Sequence, residues 1–314
     1  MPNSITFGFY KGLGDFISDS YIIDHFYQNH YRVTIILSSW LQDLANNMFP
    51  NANIIPYKEG KEIFKFQYSD DYIFLSPNYL HPIDMNYKSV PLYLAKYRAV
   101  KKNESRKTKI IRPNYLDLFF YYFKIKKTFL NEHFYYMSYF LIKKYFPDIP
   151  DVKLEIEDNK LKNKKDIERI FIFPFSGFKP KDYPLENYYN LAKFFKEKYN
   201  ISPEFYVVPS DRKKLSNIEK EFSVKSKNLV DLANMFKKTD LVICSDSGPG
   251  HLAAKFGANV IVLYSITNPQ KYKPIGNGKI ITIKSTTKNT NDINFEEIIN
   301  LIETNFNLRI CNEK

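Results

Sequence analysis

Cysteine is nearly absent from this 314-residue chain: there are two, Cys244 and Cys311, far apart in sequence. That argues against a disulfide framework and against a cysteine-built metal site. Histidine is also scarce, and His25, His30, His81 and His133 show no ligand spacing, so no metal centre is expected. No apolar run reaches the ~20 residues that a membrane-spanning helix needs. The first ten residues lack a basic stretch before a long apolar core, so no signal peptide is expected and a cytoplasmic location is the reading. Glycine is limited to ten residues, which gives each glycine cluster more weight.

Apolar and aromatic residues are plentiful, at 44% and 17% of the chain, enough for two cores of ordinary size. The net charge is +12, and it is unevenly spread. Residues 94–144 hold thirteen Lys and Arg against three acids, so most of the excess sits in one stretch. A local bias of this kind favours a basic surface meeting an anionic partner, against the alternative of a solvated face.

Apolar runs alternate with helical patterns along most of the chain. Ile5–Phe9, Val33–Leu37, Ile54–Ile55 and Tyr72–Leu75 read as strands in the first half. Lys11 to Asp15 reads as a loop, and Phe16, Ile17, Tyr21, Ile22 and Phe26 fall on one face of a following helix. Residues 94–146 break this rhythm, basic first and then aromatic, and read as two helices around a mobile loop. Residues 158–165 are polar and charged, a linker. Strands then resume at Ile170–Phe173, Phe205–Val208, Leu241–Cys244, Asn259–Tyr264 and Ile280–Ile283, with a helix expected from about Asp211 and a terminal helix at about 294–306. The expectation is an α/β chain with two Rossmann-like, doubly wound parallel-sheet domains, 1–160 and 161–314, facing a cleft.

The most informative string is Asp246-Ser247-Gly248-Pro249-Gly250-His251. It follows an apolar strand and opens a helix, where unpaired N–H groups and the helix dipole favour an anion. Gly248 and Gly250 are expected to let the backbone approach a phosphate, and Pro249 suits a first helical turn. The bland alternative is a structural strand-to-helix turn. Asp15, after Gly12-Leu13-Gly14, reads equally as a helix N-cap or a base.

Three strings together resemble glycosyltransferase family 9, the bacterial heptosyltransferases of lipopolysaccharide core assembly. They are Gly12-Leu13-Gly14-Asp15, Phe173-Pro174-Phe175-Ser176-Gly177 followed by Lys181-Asp182-Tyr183-Pro184, and Asp246 to His251. Tyr183 stands where the family usually has Trp, and Ser247 where it usually has Thr. The resemblance implies GT-B architecture, an N-terminal acceptor domain and a C-terminal donor domain. It implies inverting, metal-independent sugar transfer from a nucleotide diphosphate sugar, ADP-heptose as first choice, with no cofactor. Asp15 would be the base. Ser176, Gly177, Lys181, Asp246, Ser247, Gly248 and His251 would bind the donor. Gly14, Arg98, Lys101, Lys102, Arg106 and Lys107 are the candidates for an anionic glycolipid acceptor, with peripheral contact at the cytoplasmic face of the inner membrane. The alternatives are another donor (a hexose or N-acetylhexosamine nucleotide), a silent sugar-nucleotide binder, and a nucleic-acid-binding protein. No compact RNA-binding motif supports the last, and no nucleic acid is expected.

Overall fold

The structure is a computed structural model that describes residues 3–58, 70–79, 94–95, 97–98, 100–102, 108–123, 127–159, 166–225 and 227–308. It divides into two compact units, Met1–Val152 and Lys153–Lys314.

The first unit is built on five strands: β1 (Ser4–Tyr10), β2 (Arg32–Ser38), β3 (Asn53–Tyr57), β4 (Tyr72–Leu75) and β5 (Lys109–Ile111). They lie in the order β3-β2-β1-β4-β5, and all pairs are parallel. β1 is buried along its whole length, as an apolar strand covered on both faces must be. The short β5 was hidden in sequence among lysines; it earns its place by pairing with β4 at the sheet edge.

The second unit has a six-stranded parallel sheet. Its strands are β7 (Ile170–Phe173), β8 (Glu204–Tyr206), β9 (Val224–Lys225), β10 (Leu241–Ser245), β11 (Asn259–Tyr264) and β12 (Ile280–Lys284), in the order β12-β11-β10-β7-β8-β9. A two-stranded parallel ribbon pairs Asp166–Ile167 (β6) with Asn307–Leu308 (β13). Tyr183, Tyr188, Leu191, Phe195, Phe205, Ile243, Ile261 and Ile298 form the core on one face.

In both sheets the strand order reverses at one place, between β1 and β4 and between β7 and β10. Loops leaving the carboxyl ends of such strand pairs diverge, and the crevice they leave is where α/β sheets bind ligands.

Three sequence expectations are corrected. The helix after β1 begins at Leu13, so Gly14 and Asp15 lie in its first turn rather than in the loop. The helix expected from Asp211 is instead two 3-10 segments, Pro209–Leu215 and Ile218–Lys220; the run is polar and buries only Leu215 and Ile218, too little to hold a full helix. Asp158 belongs to a helix, Val152–Asn159, rather than to a linker, and residues 160–165 lie outside the described residues. No helix among the described residues is long and apolar enough to cross a membrane.

Candidate active site

In the first unit the chain leaves β1 through Lys11 and Gly12. Gly12 is the extended N-cap of the helix Leu13–Gln28, and it has no side chain to offer as a cap. Asp15 is the third helical residue, which corrects the reading of Asp15 as the N-cap itself. Its carboxylate folds back toward Gly12: a Cβ there would lie 2.9 Å from Asp15 Oδ2. The acid, 9% exposed, thus lies over the Gly12 backbone, where a side chain at that position would displace it. Trp40, the sole tryptophan, donates its indole N–H to the Lys11 carbonyl at 3.2 Å and leaves half its ring exposed.

One turn further on, Asp19 is fully buried. Its carboxylate accepts hydrogen bonds from Tyr10 Oη at 3.0 Å and Asn78 Nδ2 at 2.9 Å. Burial pushes its pKa up to about 7, against the pull of hydroxyls from Ser138, Ser76 and Tyr10.

In the second unit the loop after β7 carries Lys181 and the loop after β10 carries Asp246. Lys181 Nζ lies 2.8 Å from Asp246 Oδ2, and Thr267 Oγ1 donates to the same oxygen at 2.5 Å. The pair is mostly withdrawn from solvent, at 16% and 7% side-chain exposure. Lys181 is fixed by its surroundings. The Tyr183 N–H donates to Ser245 Oγ at 3.0 Å, Ser265 Oγ donates to the Pro180 carbonyl at 2.8 Å, and Thr290 Oγ1 donates to the Asp182 carbonyl at 2.6 Å. The ends of β10 and β11 and the 3-10 turn Thr290–Asp292 thus clamp residues 180–183. Lys284 Nζ donates to the Ser265 carbonyl, and burial lowers its pKa while Asp246 opposes the shift. A further lysine, Lys271, is buried on the short helix Pro269–Tyr272.

Ser247 is the extended N-cap of the helix Gly248–Lys255, with Pro249 in the first turn and His251 buried as the fourth residue. The Ser247 hydroxyl makes no capping bond, and its oxygen is buried without a hydrogen-bond partner. It is available to a ligand oxygen at the helix N-terminus.

Gly250 has a different role from the one expected. A Cβ there would meet Cys244 Sγ at 2.9 Å, so Gly250 lets the helix sit close on β10 rather than admitting a phosphate. Cys244 beneath it is core, and burial pushes its thiol well above the ordinary range. Ser176 builds its own loop: its hydroxyl donates to the Phe178 carbonyl at 2.7 Å and its N–H donates to Asp182 at 2.6 Å. Open space surrounds Gly177 where a Cβ would be. Arg98, Lys101 and Lys102 are exposed, and Arg106 and Lys107 lie outside the described residues.

The structure therefore brings together Lys181 and Asp246, with Ser247, Gly248 and His251 on the adjoining turn. Gly14 and Asp15 occupy the corresponding place in the first unit. The hydroxyls of Ser245, Ser265, Thr267 and Thr290 and the lysines 271 and 284 were not singled out from sequence as site residues. Their only signal is that each closes or follows a strand at its carboxyl end.

Comparison with known proteins gives the fold and the family. Solved structures of a glycosyltransferase family 9 protein from Veillonella parvula (TM-score 0.66, 17% identity, 96% of both chains) and of the E. coli heptosyltransferase WaaC with ADP (TM-score 0.61, 12% identity, 96% of this chain and 99% of that one) share the fold. The lipopolysaccharide core heptosyltransferase OpsX of Haemophilus influenzae is 33% identical over 119 residues, 35% of this chain and 34% of OpsX, so the match spans about a third of that relative. The model of glycosyltransferase family 9 (heptosyltransferase) matches residues 109–301, more than half of the sequence, and the chain belongs to that family.

Proposed function

We propose that the chain transfers a sugar, heptose, from a nucleotide diphosphate sugar, ADP-heptose, to a lipopolysaccharide or lipooligosaccharide core acceptor, with inversion and without a metal. The observation that carries this reading is the Lys181–Asp246–Thr267 cluster at the strand-order switch of the second sheet, beside a helix N-terminus. An ammonium, a free hydroxyl and the Gly248 N–H at a helix start together suit a diphosphate.

In this mechanism Asp15 takes the proton from an acceptor hydroxyl, and the resulting oxygen attacks the anomeric carbon from the face opposite the diphosphate. The bond from that carbon to the phosphate oxygen breaks, and its electron pair leaves on the diphosphate. Lys181, the Ser247 hydroxyl and the Gly248 N–H stabilise the developing charge. Asp246 orients Lys181 and is placed to hold a sugar hydroxyl. The exposed Trp40 ring beside the Asp15 turn offers a stacking face for an acceptor sugar.

The acceptor is a lipid, and a surface for its membrane has support in the helix Tyr115–Phe123. Tyr115, Leu116, Phe119 and Phe123 are exposed there while Leu118 faces inward. The Arg112 guanidinium stacks over Tyr97 and Tyr115, at 3.9 and 4.4 Å from the ring centres, which places the basic residues around 97–102 beside this aromatic face. Apolar rings flanked by cations suit the interface of an anionic bilayer.

The test is transfer from ADP-heptose to core glycolipid isolated from a strain lacking the gene, read by mass spectrometry. A mass increase of one heptose is expected. An increase by another sugar with a different donor would replace the donor assignment, and no transfer with any donor would overturn the reading.

A further inference from the structure

Asp19 is a buried carboxylate that the proposed chemistry leaves without a task. It sits at the strand-order switch of the first sheet, among groups from every element that meets there. Tyr10 closes β1, Asn78 lies in the turn Pro77–Tyr79 after β4, and Ser138 lies on the helix Phe134–Lys143. Asn78 is itself fully buried, and its N–H donates to Ser76 Oγ at 3.3 Å. Ser76 in turn donates its N–H to the Gly8 carbonyl of β1 at 3.2 Å. The network thus closes from the helix, across the end of β4, back to β1.

None of the ion pairs among the described residues includes Asp19. Its donors are the Tyr10 phenol and the Asn78 carboxamide. Burying an acid without a cation costs stability, which calls for a use that offsets the cost. The titratable groups that act on it are Asp15, on its own helix, and Tyr10.

We infer that Asp19 is a positioning residue for Asp15, holding the first turn of Leu13–Gln28 against the ends of β1 and β4 and lending its negative charge to proton uptake one turn away. The inference rests on the reading of Asp15 as the base. Residues four apart in a helix lie one above the other on the same face. The Asp15 carboxylate pushes the pKa of Asp19 up by like-charge repulsion, which couples the two acids along one helix face. Tyr10 and Asn78 donate to the carboxylate, one to each oxygen, so both bonds are strongest when Asp19 has lost its proton.

The test is the pH dependence of kcat with ADP-heptose and the core glycolipid, for wild type, Asp19→Asn, Tyr10→Phe and Asp15→Asn. Wild type is expected to show an acid limb near pH 7, where Asp19 ionises. Asp19→Asn should lower kcat about ten- to a hundredfold through misplacement of the base, with the donor KM unchanged. Its acid limb should move to lower pH by about half a unit or more. Tyr10→Phe keeps the charge but removes one donor, so its limb should move to higher pH; it also serves if Asp19→Asn fails to fold. Limbs that stay in place in both variants, whatever the loss in kcat, would reduce Asp19 to a structural residue and overturn the inference. Full turnover in Asp15→Asn would overturn the base assignment instead, and the two failures are therefore distinct.

Discussion

At the strand-order switch of the first sheet, Asp19 is surrounded by neutral donors, whereas at the switch of the second, Asp246 holds the Lys181 ammonium at 2.8 Å. The two places are alike in topology: each takes one loop from a central strand and one from the strand beside it. They differ in what the carboxylate faces. A buried acid without a cation competes for a proton near neutrality. A buried acid beside an ammonium keeps that ammonium in place. The first switch thus holds its acid with neutral donors and the second with a cation.

The largest effect that would break this comparison is at Asp15. Asp15→Asn retains size and the favourable position in the first helical turn, and removes only the proton acceptor. Turnover should fall ~10²-fold or more. ADP affinity, measured by calorimetry, should stay within about twofold, since no ion pair of the second unit is altered. A variant with near-normal turnover would leave the first switch with no proton to handle.

Lys181→Ala should have the next largest effect. Loss of a charge-assisted contact is worth about 1.5–3 kcal/mol, so ADP should bind roughly ten- to a hundredfold more weakly. Part of that loss comes from Asp246, left facing the diphosphate without its cation. The double variant Lys181→Ala with Asp246→Asn should therefore bind ADP more tightly than Lys181→Ala alone. Equal affinity in wild type and Lys181→Ala would remove the diphosphate from this site.

Much of the fold was legible in the sequence, because parallel strands buried on both faces appear as uninterrupted apolar runs such as Leu241-Val242-Ile243-Cys244. β5 was not, since only Ile110 and Ile111 mark it and its partner β4 lies more than thirty positions earlier. The motif from Asp246 to His251 announced a helix N-terminus, but not that Gly250 faces Cys244. That depends on how closely the helix lies on the strand, which no local pattern encodes. The same holds for the two aromatic helices of the first unit. Leu118-Phe119-Phe120-Tyr121-Tyr122-Phe123 and Phe134-Tyr135-Tyr136-Met137-Ser138-Tyr139-Phe140 look alike as strings. Yet Phe134, Tyr135, Met137 and Tyr139 are buried, while Phe119 and Phe123 are exposed. The second string packs against Leu13–Gln28, whereas among the described residues the first packs chiefly on the short turn Phe129–Asn131. Burial there is decided by the partner and not by composition.

The cost of an unpaired buried acid gives a third, smaller effect, on stability. Asp19 has its pKa raised from 3.8 to about 7 in the folded chain. Between these values the unfolded chain ionises while the native chain keeps its proton, so stability from this group falls as pH rises from about 4 to 7 and is level above that. The ceiling is of the order of 4 kcal/mol. Asp19→Asn cannot titrate, so its melting temperature relative to wild type should rise by several degrees between pH 5 and pH 8. A difference that stays constant over that range would mean that Asp19 is ionised at both pH values and that its neutral donors suffice to hold the charge.

The smallest effect concerns where the first unit keeps its cations. It does not lack them: Arg98, Lys101 and Lys102 are present but exposed, and none of the described ion pairs draws them to Asp19. In the second unit the ammonium of Lys181 is withdrawn beside Asp246, so salt should matter little to donor binding through that pair. At the surface of the first unit it should matter more. Replacing Arg98, Lys101 and Lys102 together by Gln should raise the apparent KM for the anionic core glycolipid a few-fold at low ionic strength, with the KM for ADP-heptose unchanged. The rise should shrink as salt is added, because exposed charges are screened beyond ~10 Å at 0.1 M. The same three substitutions should also reduce flotation of the protein with vesicles containing anionic lipid, and Leu116→Ser with Phe119→Ser and Phe123→Ser should reduce it at every salt concentration, since apolar insertion is not screened. If acceptor kinetics and flotation of the charge variant both match wild type at low salt, these cations form only a solvated face, and the contrast between the two units is confined to their buried acids.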